Sequence, residues 1–118
     1  MKRSSLFDKP QEAFQRGTFH EPAWRPLADV YRAPWGWLVK YELAGVAPED
    51  VQVRVSGNAV TISGCRRDVI EHESCCHWLL EIAYSRFERT IELPVALEGA
   101  RVSLEQRNGM ILVRIQAE

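Results

Sequence analysis

The sequence predicts an all-β sandwich, and three observations lead to this prediction. The run VQVRVS at 51–56 alternates valine with polar residues, which places its valines on one face of a strand. The dipeptides GN at 57–58 and NG at 108–109 are two-residue hairpin signals between apolar runs. Short strands separated by turn signals every ~8–12 residues, with little helical periodicity, are typical of a sandwich.

The strands are expected in a simple order along the chain. A short strand is followed by a break at Ala33-Pro34, and the second strand should turn Trp37, Val39 and Tyr41 to one face. The expected strand segments are DVYR (29–32), WGWLVKYEL (35–43), VQVRVS (51–56), AVTISG (59–64), WLLEIAYSRFERTIEL (78–93), RVSLEQ (101–106) and MILVRI (110–115).

The long segment at 78–93 is open to a helical interpretation as well. We favour a strand because Tyr84, Phe87, Thr90 and Ile91 prefer sheets, and Pro94 ends the run. A polar loop from Cys65 to about His77 precedes this segment.

Residues 1–27 differ from the rest and form an expected N-terminal arm ahead of a single domain at 28–118. The arm holds three of the six prolines and four spaced aromatic residues, Phe7, Phe14, Phe19 and Trp24. A plain disordered terminus is one interpretation. Disordered segments are usually poor in aromatic residues, so we expect a mobile arm whose aromatic side chains bind other molecules.

Composition excludes several classes of protein. A formal net charge of −1 and a pI near 6.3 provide no basic field for nucleic acid. No apolar run approaches the ~18 residues of a membrane span. The start, MKRSSLFDKP, lacks the apolar stretch of a secretory signal, and three cysteines do not suggest a disulfide framework. We therefore expect a cytoplasmic protein with free thiols.

Catalytic motifs are missing from the sequence, so an enzyme is not expected. Neither the phosphate-binding pattern G-x-x-x-x-G-K-[ST] nor G-x-S-x-G occurs. The segment EHESCCHW brings His72, Cys75, Cys76 and His77 together, which leaves zinc binding or cysteine redox chemistry as alternatives. Because all these ligands lie in one short stretch, we expect exposed loop side chains, with no metal and no cofactor.

Four segments in the correct order resemble the small heat-shock proteins of bacterial type. ELAGV at 42–46 is similar to L-P-G-V, with Ala44 at the proline position, and NAVTISGCRR is similar to N-x-L-x-I-x-G-x-R. YSRFERTIELP resembles Y-G-x-F-x-R-x-x-x-L-P. RVSLEQRNGMILVRI resembles A-x-x-x-N-G-V-L, with Leu104 at the alanine position and Ile111 at the leucine position. The resemblance covers about Pro26 to Ile115.

This resemblance implies an immunoglobulin-like β-sandwich, the α-crystallin domain, that dimerises by strand exchange. Loop residues 69–76 would pair with residues 28–32 of a partner chain, since each edge alone exposes unpaired backbone groups. The dimer contacts implied are Asp29, Val30, Tyr31, Ile70, His72 and Arg89. For Arg89, a plain surface charge is the alternative.

The resemblance also implies a groove for apolar segments at the sandwich edge, lined by Val53, Val55, Val102 and Leu104. Ordinary core positions are the alternative for the valines, and Leu104 would partly fill the groove or deepen its floor. The chain lacks the Ile-x-Ile tail usual in the family, so a homodimer is expected, with any larger assembly depending on the arm.

The function implied is that of an ATP-independent holdase, which binds exposed apolar segments of unfolding client proteins and prevents their aggregation. The alternatives are a CS-type co-chaperone or adaptor, and a regulator that co-assembles with a longer small heat-shock protein.

Overall fold

The computed structural model of the protein describes residues 24–116, and its seven strands form two antiparallel sheets. The strands are β1 (Ala28–Ala33), β2 (Gly36–Glu42), β3 (Val51–Ser56), β4 (Ala59–Cys65), β5 (Arg86–Glu92), β6 (Arg101–Arg107) and β7 (Met110–Gln116). One sheet has the order β1-β2-β7-β6 and the other the order β3-β4-β5. A short 3-10 helix, Pro48–Asp50, leads into β3. The all-β sandwich predicted from the sequence is confirmed.

Both predicted hairpins are present. Ser56 pairs with Ala59 around the 57–58 turn, and Arg107 pairs with Met110 around the 108–109 turn. Asn108 and Gly109 have φ angles of 51° and 78°, as a type I′ turn requires. This turn fixes the register of β6 on β7, which determines the face toward which each β6 side chain points.

The core lies between the two sheets and follows the period-two pattern. Val39 and Tyr41 of β2 and Val60 and Ile62 of β4 are fully buried, as the alternation predicted. Phe87 of β5 adds a second buried aromatic ring, and the valines of β3 pack against this cluster from one edge.

The strand expected at 78–93 is wrong in its first half, because β5 begins only at Arg86. In β4, Cys65 pairs with Arg86 and is the last residue of the strand. Residues before Arg86 therefore have no β4 partner, and strand propensity without a ladder does not produce a strand. Residues 66–85 form a long loop instead.

The part of the predicted arm that the structure describes lies on the sandwich. We call residues 24–27 the strap. Trp24 forms a parallel bridge with Phe87, Pro26 is buried, and the carbonyl oxygen of Leu27 accepts a hydrogen bond from the Glu42 N–H at 2.9 Å. Trp24 is thus part of the folded unit, whereas Phe7, Phe14 and Phe19 lie outside the described residues.

Within residues 24–116 no helix is long and apolar enough to cross a membrane.

Candidate functional site

The groove that the sequence predicts, called here the β3–β6 groove, would lie between two edge strands, β3 and β6. Val102 pairs with Ile115 and Leu104 with Val113, so both side chains point toward the inner face of their sheet. They remain 40% and 38% exposed, because β6 has no neighbour on its outer side among the described strands. Val53 and Val55 of β3 are half-buried against the core.

A side-chain hydrogen bond connects β6 to the chain segment that precedes β3. Gln106, on the same face as Leu104, donates from Nε2 to the carbonyl oxygen of Val46 at 2.8 Å. The groove of Val53, Val55, Val102 and Leu104 stays a prediction, with two half-buried valines on β3 and two exposed apolar side chains on β6.

The outer edge of β1 is a second candidate surface, because its backbone hydrogen-bonding groups face no partner strand among the described residues. β1 pairs only with β2 among the described strands, and Val30 and Tyr31 are exposed. The Lys40 ammonium lies 5.1 Å from the centroid of the Tyr31 ring and donates to its hydroxyl at 3.1 Å, while Asp29 lies 3.9 Å from the same ammonium. This edge therefore presents unpaired backbone groups beside the Tyr31 ring, the Lys40 ammonium and the Asp29 carboxylate.

The loop at 66–85 carries large apolar side chains that are mostly exposed to solvent. The exposed fractions are 99% for Trp78, 72% for Leu79, 54% for Leu80 and 58% for Ile82. The predicted exchange segment, residues 69–76, contains a turn in which the Cys75 N–H donates to the His72 carbonyl oxygen at 2.9 Å. His72 and Ile70 therefore do not lie on an extended strand in this chain.

Arg89, expected at the dimer contact, points inward. It shares the inner face of β5 with Phe87 and Ile91, and its guanidinium donates to the Pro26 carbonyl oxygen at 2.9 Å. Arg89 Nε and the hydroxyl of Tyr41 are both buried without a hydrogen-bond partner. Burial raises the pKa of Tyr41 to about 12, and the positive charge of Arg89 opposes this shift. Arg89 thus holds the strap.

The histidine and cysteine cluster is spread over the loop surface. His72 Nδ1 lies 2.6 Å from the Ser74 hydroxyl, and His77 lies 3.6 Å from Asp68. Cys75 and Cys76 are exposed thiols and Cys65 is half-buried. Among residues 24–116, no three histidine, cysteine or acidic side chains are grouped as metal ligands.

A polar depression of about 400 Å³ lies on the outer face of the β3-β4-β5 sheet. Charged side chains dominate its lining, including the Arg67–Asp50 pair at 3.1 Å. Its chemistry does not match an apolar ligand, so the β3–β6 groove is the better candidate for one.

Two sheets of four and three antiparallel strands with this connectivity define an immunoglobulin-like sandwich of the α-crystallin class. The Hsp20/alpha crystallin family matches residues 29–118, and the chain belongs to that family. Membership supports a chaperone role in general.

Two curated relatives illustrate the similarity. Spore protein SP21 of Stigmatella aurantiaca is 28% identical over 94 residues, which cover 80% of this chain and 56% of the relative. Heat shock protein 16 of Schizosaccharomyces pombe is 32% identical over 93 residues, covering 76% of this chain and 64% of the relative. The chain thus spans a little over half the length of these relatives.

Solved structures agree with the fold. Heat shock protein 16.0 from Schizosaccharomyces pombe has a TM-score of 0.69 at 30% identity and covers 78% of this chain and 86% of that one. HspA from Xanthomonas axonopodis has a TM-score of 0.63 at 24% identity, with 79% and 93% covered, which supports the fold alone.

Proposed function

We propose that the protein is an ATP-independent holdase that binds apolar segments of unfolding proteins and keeps them from aggregating. The observation on which this proposal rests is the exposure of two apolar side chains, Val102 and Leu104, at the free edge of β6. Its family consists of ATP-independent chaperones rather than enzymes. Three free cysteines agree with a reducing cytoplasm as its compartment.

Binding at such a groove is weak at each contact and gains strength through repetition. Burying one valine or leucine side chain contributes roughly 1.5–3 kcal/mol. Linking several contacts on one client raises the overall avidity without any new type of contact. The arm aromatics Phe7, Phe14 and Phe19 are proposed as further client contacts and as the source of any assembly larger than a dimer.

Light scattering of a heat-aggregating client, recorded without nucleotide, tests the proposal. A near-equimolar amount of the chain should suppress aggregation. Full aggregation in the presence of chain that circular dichroism shows to be folded would contradict the holdase function. That result would favour an adaptor that binds one defined partner, or a regulator that acts by co-assembly.

A homodimer formed by strand exchange is the proposed unit of assembly. Each chain has an unpaired outer edge on β1 and a loop with exposed apolar side chains. In a symmetric dimer the loop of each chain pairs with the β1 edge of the other. Because residues 69–76 contain a turn, we place the exchanging segment at residues 78–82. In extended form this segment presents Trp78, Leu80 and Ile82 on one side, with Val30 of the partner as an apolar neighbour, since Tyr31 points to the opposite face of β1.

A further inference from the structure

The strap is joined to the sandwich as a single residue of added β-strand. The Trp24 N–H donates to the Arg86 carbonyl oxygen at 3.1 Å, and the Glu88 N–H donates to the Trp24 carbonyl oxygen at 2.9 Å. β5 is an edge strand, and no other backbone segment among residues 24–116 pairs along its outer side. The β5 edge thus accepts an extended segment in parallel orientation, and Trp24 fills only one position of it.

The Trp24 side chain occupies a site built by residues outside the strap. Its ring meets Phe87 edge-to-face, with centroids 5.6 Å apart and planes at 82°. The Arg66 guanidinium covers the ring at 4.1 Å from the centroid. Arg66 is itself fixed by hydrogen bonds of 2.9 Å to the carbonyl oxygens of Ala83 and Ala44. We call this site, formed by Phe87, Arg66 and the adjoining β5 edge, the Trp24 slot.

The hydrogen bonds that fix Arg66, to the carbonyl oxygens of Ala83, Ala44 and Ser85, do not involve residues 24–27, and the β4–β5 ladder that holds Phe87 does not either. Two backbone hydrogen bonds and one half-buried ring hold Trp24 in place, and the neighbouring Arg25 is exposed. An extended chain with an aromatic residue reproduces every one of these contacts. Aromatic residues in extended segments become available when other proteins unfold.

We propose that the Trp24 slot is a second docking site of the chaperone, for extended segments of unfolding proteins that carry an aromatic side chain. The inference rests on the holdase function proposed above. In the unoccupied chain the strap fills the slot and competes with clients. The strap is tethered, so its high effective concentration weakens the apparent affinity for any separate segment. Segments that bind the slot add strand pairing along β5 to the aromatic contact.

Fluorescence anisotropy with labelled peptides tests this competition on the full chain. The probes are the sequence of residues 21–27, an unrelated extended peptide with one tryptophan, and versions of both with that tryptophan replaced by alanine. Trp24→Ala should bind both tryptophan peptides about tenfold or more tighter than the unmodified chain, since the tethered competitor is gone. Trp35→Ala, which removes a tryptophan from the β1–β2 turn, is the matched control and should bind them as weakly as the unmodified chain.

A thermal melt measures whether the Trp24→Ala variant is folded. The tryptophan peptides should raise its Tm, and their alanine versions should not, because a ligand that binds only the folded state stabilises it. Equal binding by all three proteins, or no shift of Tm, would overturn the slot. Binding of the 21–27 sequence alone would assign the slot to the strap of a second copy and overturn the client assignment.

The two proposals fail separately. Peptide binding needs no aggregating client, so tight binding by Trp24→Ala combined with no suppression of aggregation would reject the holdase function and support the peptide chemistry of the slot. Suppression by the unmodified chain with no peptide binding by Trp24→Ala would reject the slot and keep the holdase.

Discussion

The Arg66 guanidinium stacks over the Trp24 ring while it hydrogen-bonds two carbonyl oxygens from other segments. One side chain thus connects the strap, the β2–β3 connection through Ala44 and the end of the long loop through Ala83. Arginine suits this position because its planar fork donates in two directions and still presents a face to an aromatic ring.

Arg66→Gln should lower the free energy of unfolding by about 1–3 kcal/mol, since it leaves two carbonyl oxygens and the Trp24 ring without their partner. Urea denaturation measures this loss. Arg67→Gln is the control, because Arg67 is exposed and solvent screens its ion pair with Asp50. Equal losses in both variants would show that Arg66 has no connecting role.

Gly64→Ala should destabilise the sandwich by about 1–3 kcal/mol or more, because a Cβ at this position overlaps the Asp50 carbonyl oxygen and comes within 2.6 Å of Phe87 Cζ. The neighbouring Ser63→Ala points to the other face and should change the free energy of unfolding by less than about 0.5 kcal/mol. Similar denaturation midpoints for the two variants would contradict the close approach.

Tyr41 should make the protein less stable in alkali. Its pKa is raised from 10.0 to about 12 by burial, so the unfolded chain loses the phenol proton first as pH rises. The stabilising contribution is complete below about pH 10 and is lost as pH rises through about 12. Urea denaturation across this window should show a steeper decline for the unmodified chain than for Tyr41→Phe.

Tyr84→Phe removes a phenol from the 66–85 loop, outside the buried core, and serves as the matched control for that titration. It should retain the decline of the unmodified chain between about pH 10 and about pH 12. An unchanged slope in Tyr41→Phe would show that this hydroxyl is not the titrating group.

Leu80→Asn should weaken the proposed homodimer by about tenfold or more in dissociation constant, since it removes a leucine from the apolar side of the exchanging segment. Analytical ultracentrifugation measures this change. Glu81→Asn alters the opposite side of the same segment and should leave the dimer intact. A dimer of equal strength in both variants would place the contact elsewhere.

The sequence predicted best the features that depend on local chemistry. The 57–58 and 108–109 turns and the inward valines of β3 follow from φ requirements and from a period of two. The same period places Arg89 on the face of Phe87 and Ile91, so its inward orientation was available from the pattern. The dimer contact of Arg89 came from the family resemblance and stays a prediction.

Long-range contacts account for the errors. Residue preferences extended β5 back to Trp78, but a strand also needs a partner, and β4 ends at Cys65. Trp24 was assigned to the arm because neither spacing nor composition links it to Phe87 and Arg66, both more than forty positions away along the chain. The Trp24 slot therefore becomes visible only once the fold is known.

The most direct test of the holdase function compares Leu104→Gln with Ser103→Gln in the client aggregation assay. Leu104 faces the groove and is already partly exposed, so the change should leave the fold intact and cost about 1 kcal/mol of client binding, or roughly fivefold. We predict that Leu104→Gln needs several times more chain than the unmodified protein to suppress light scattering. Ser103→Gln, on the other face of β6, should match the unmodified protein. Equal suppression by both variants would contradict client binding in the β3–β6 groove.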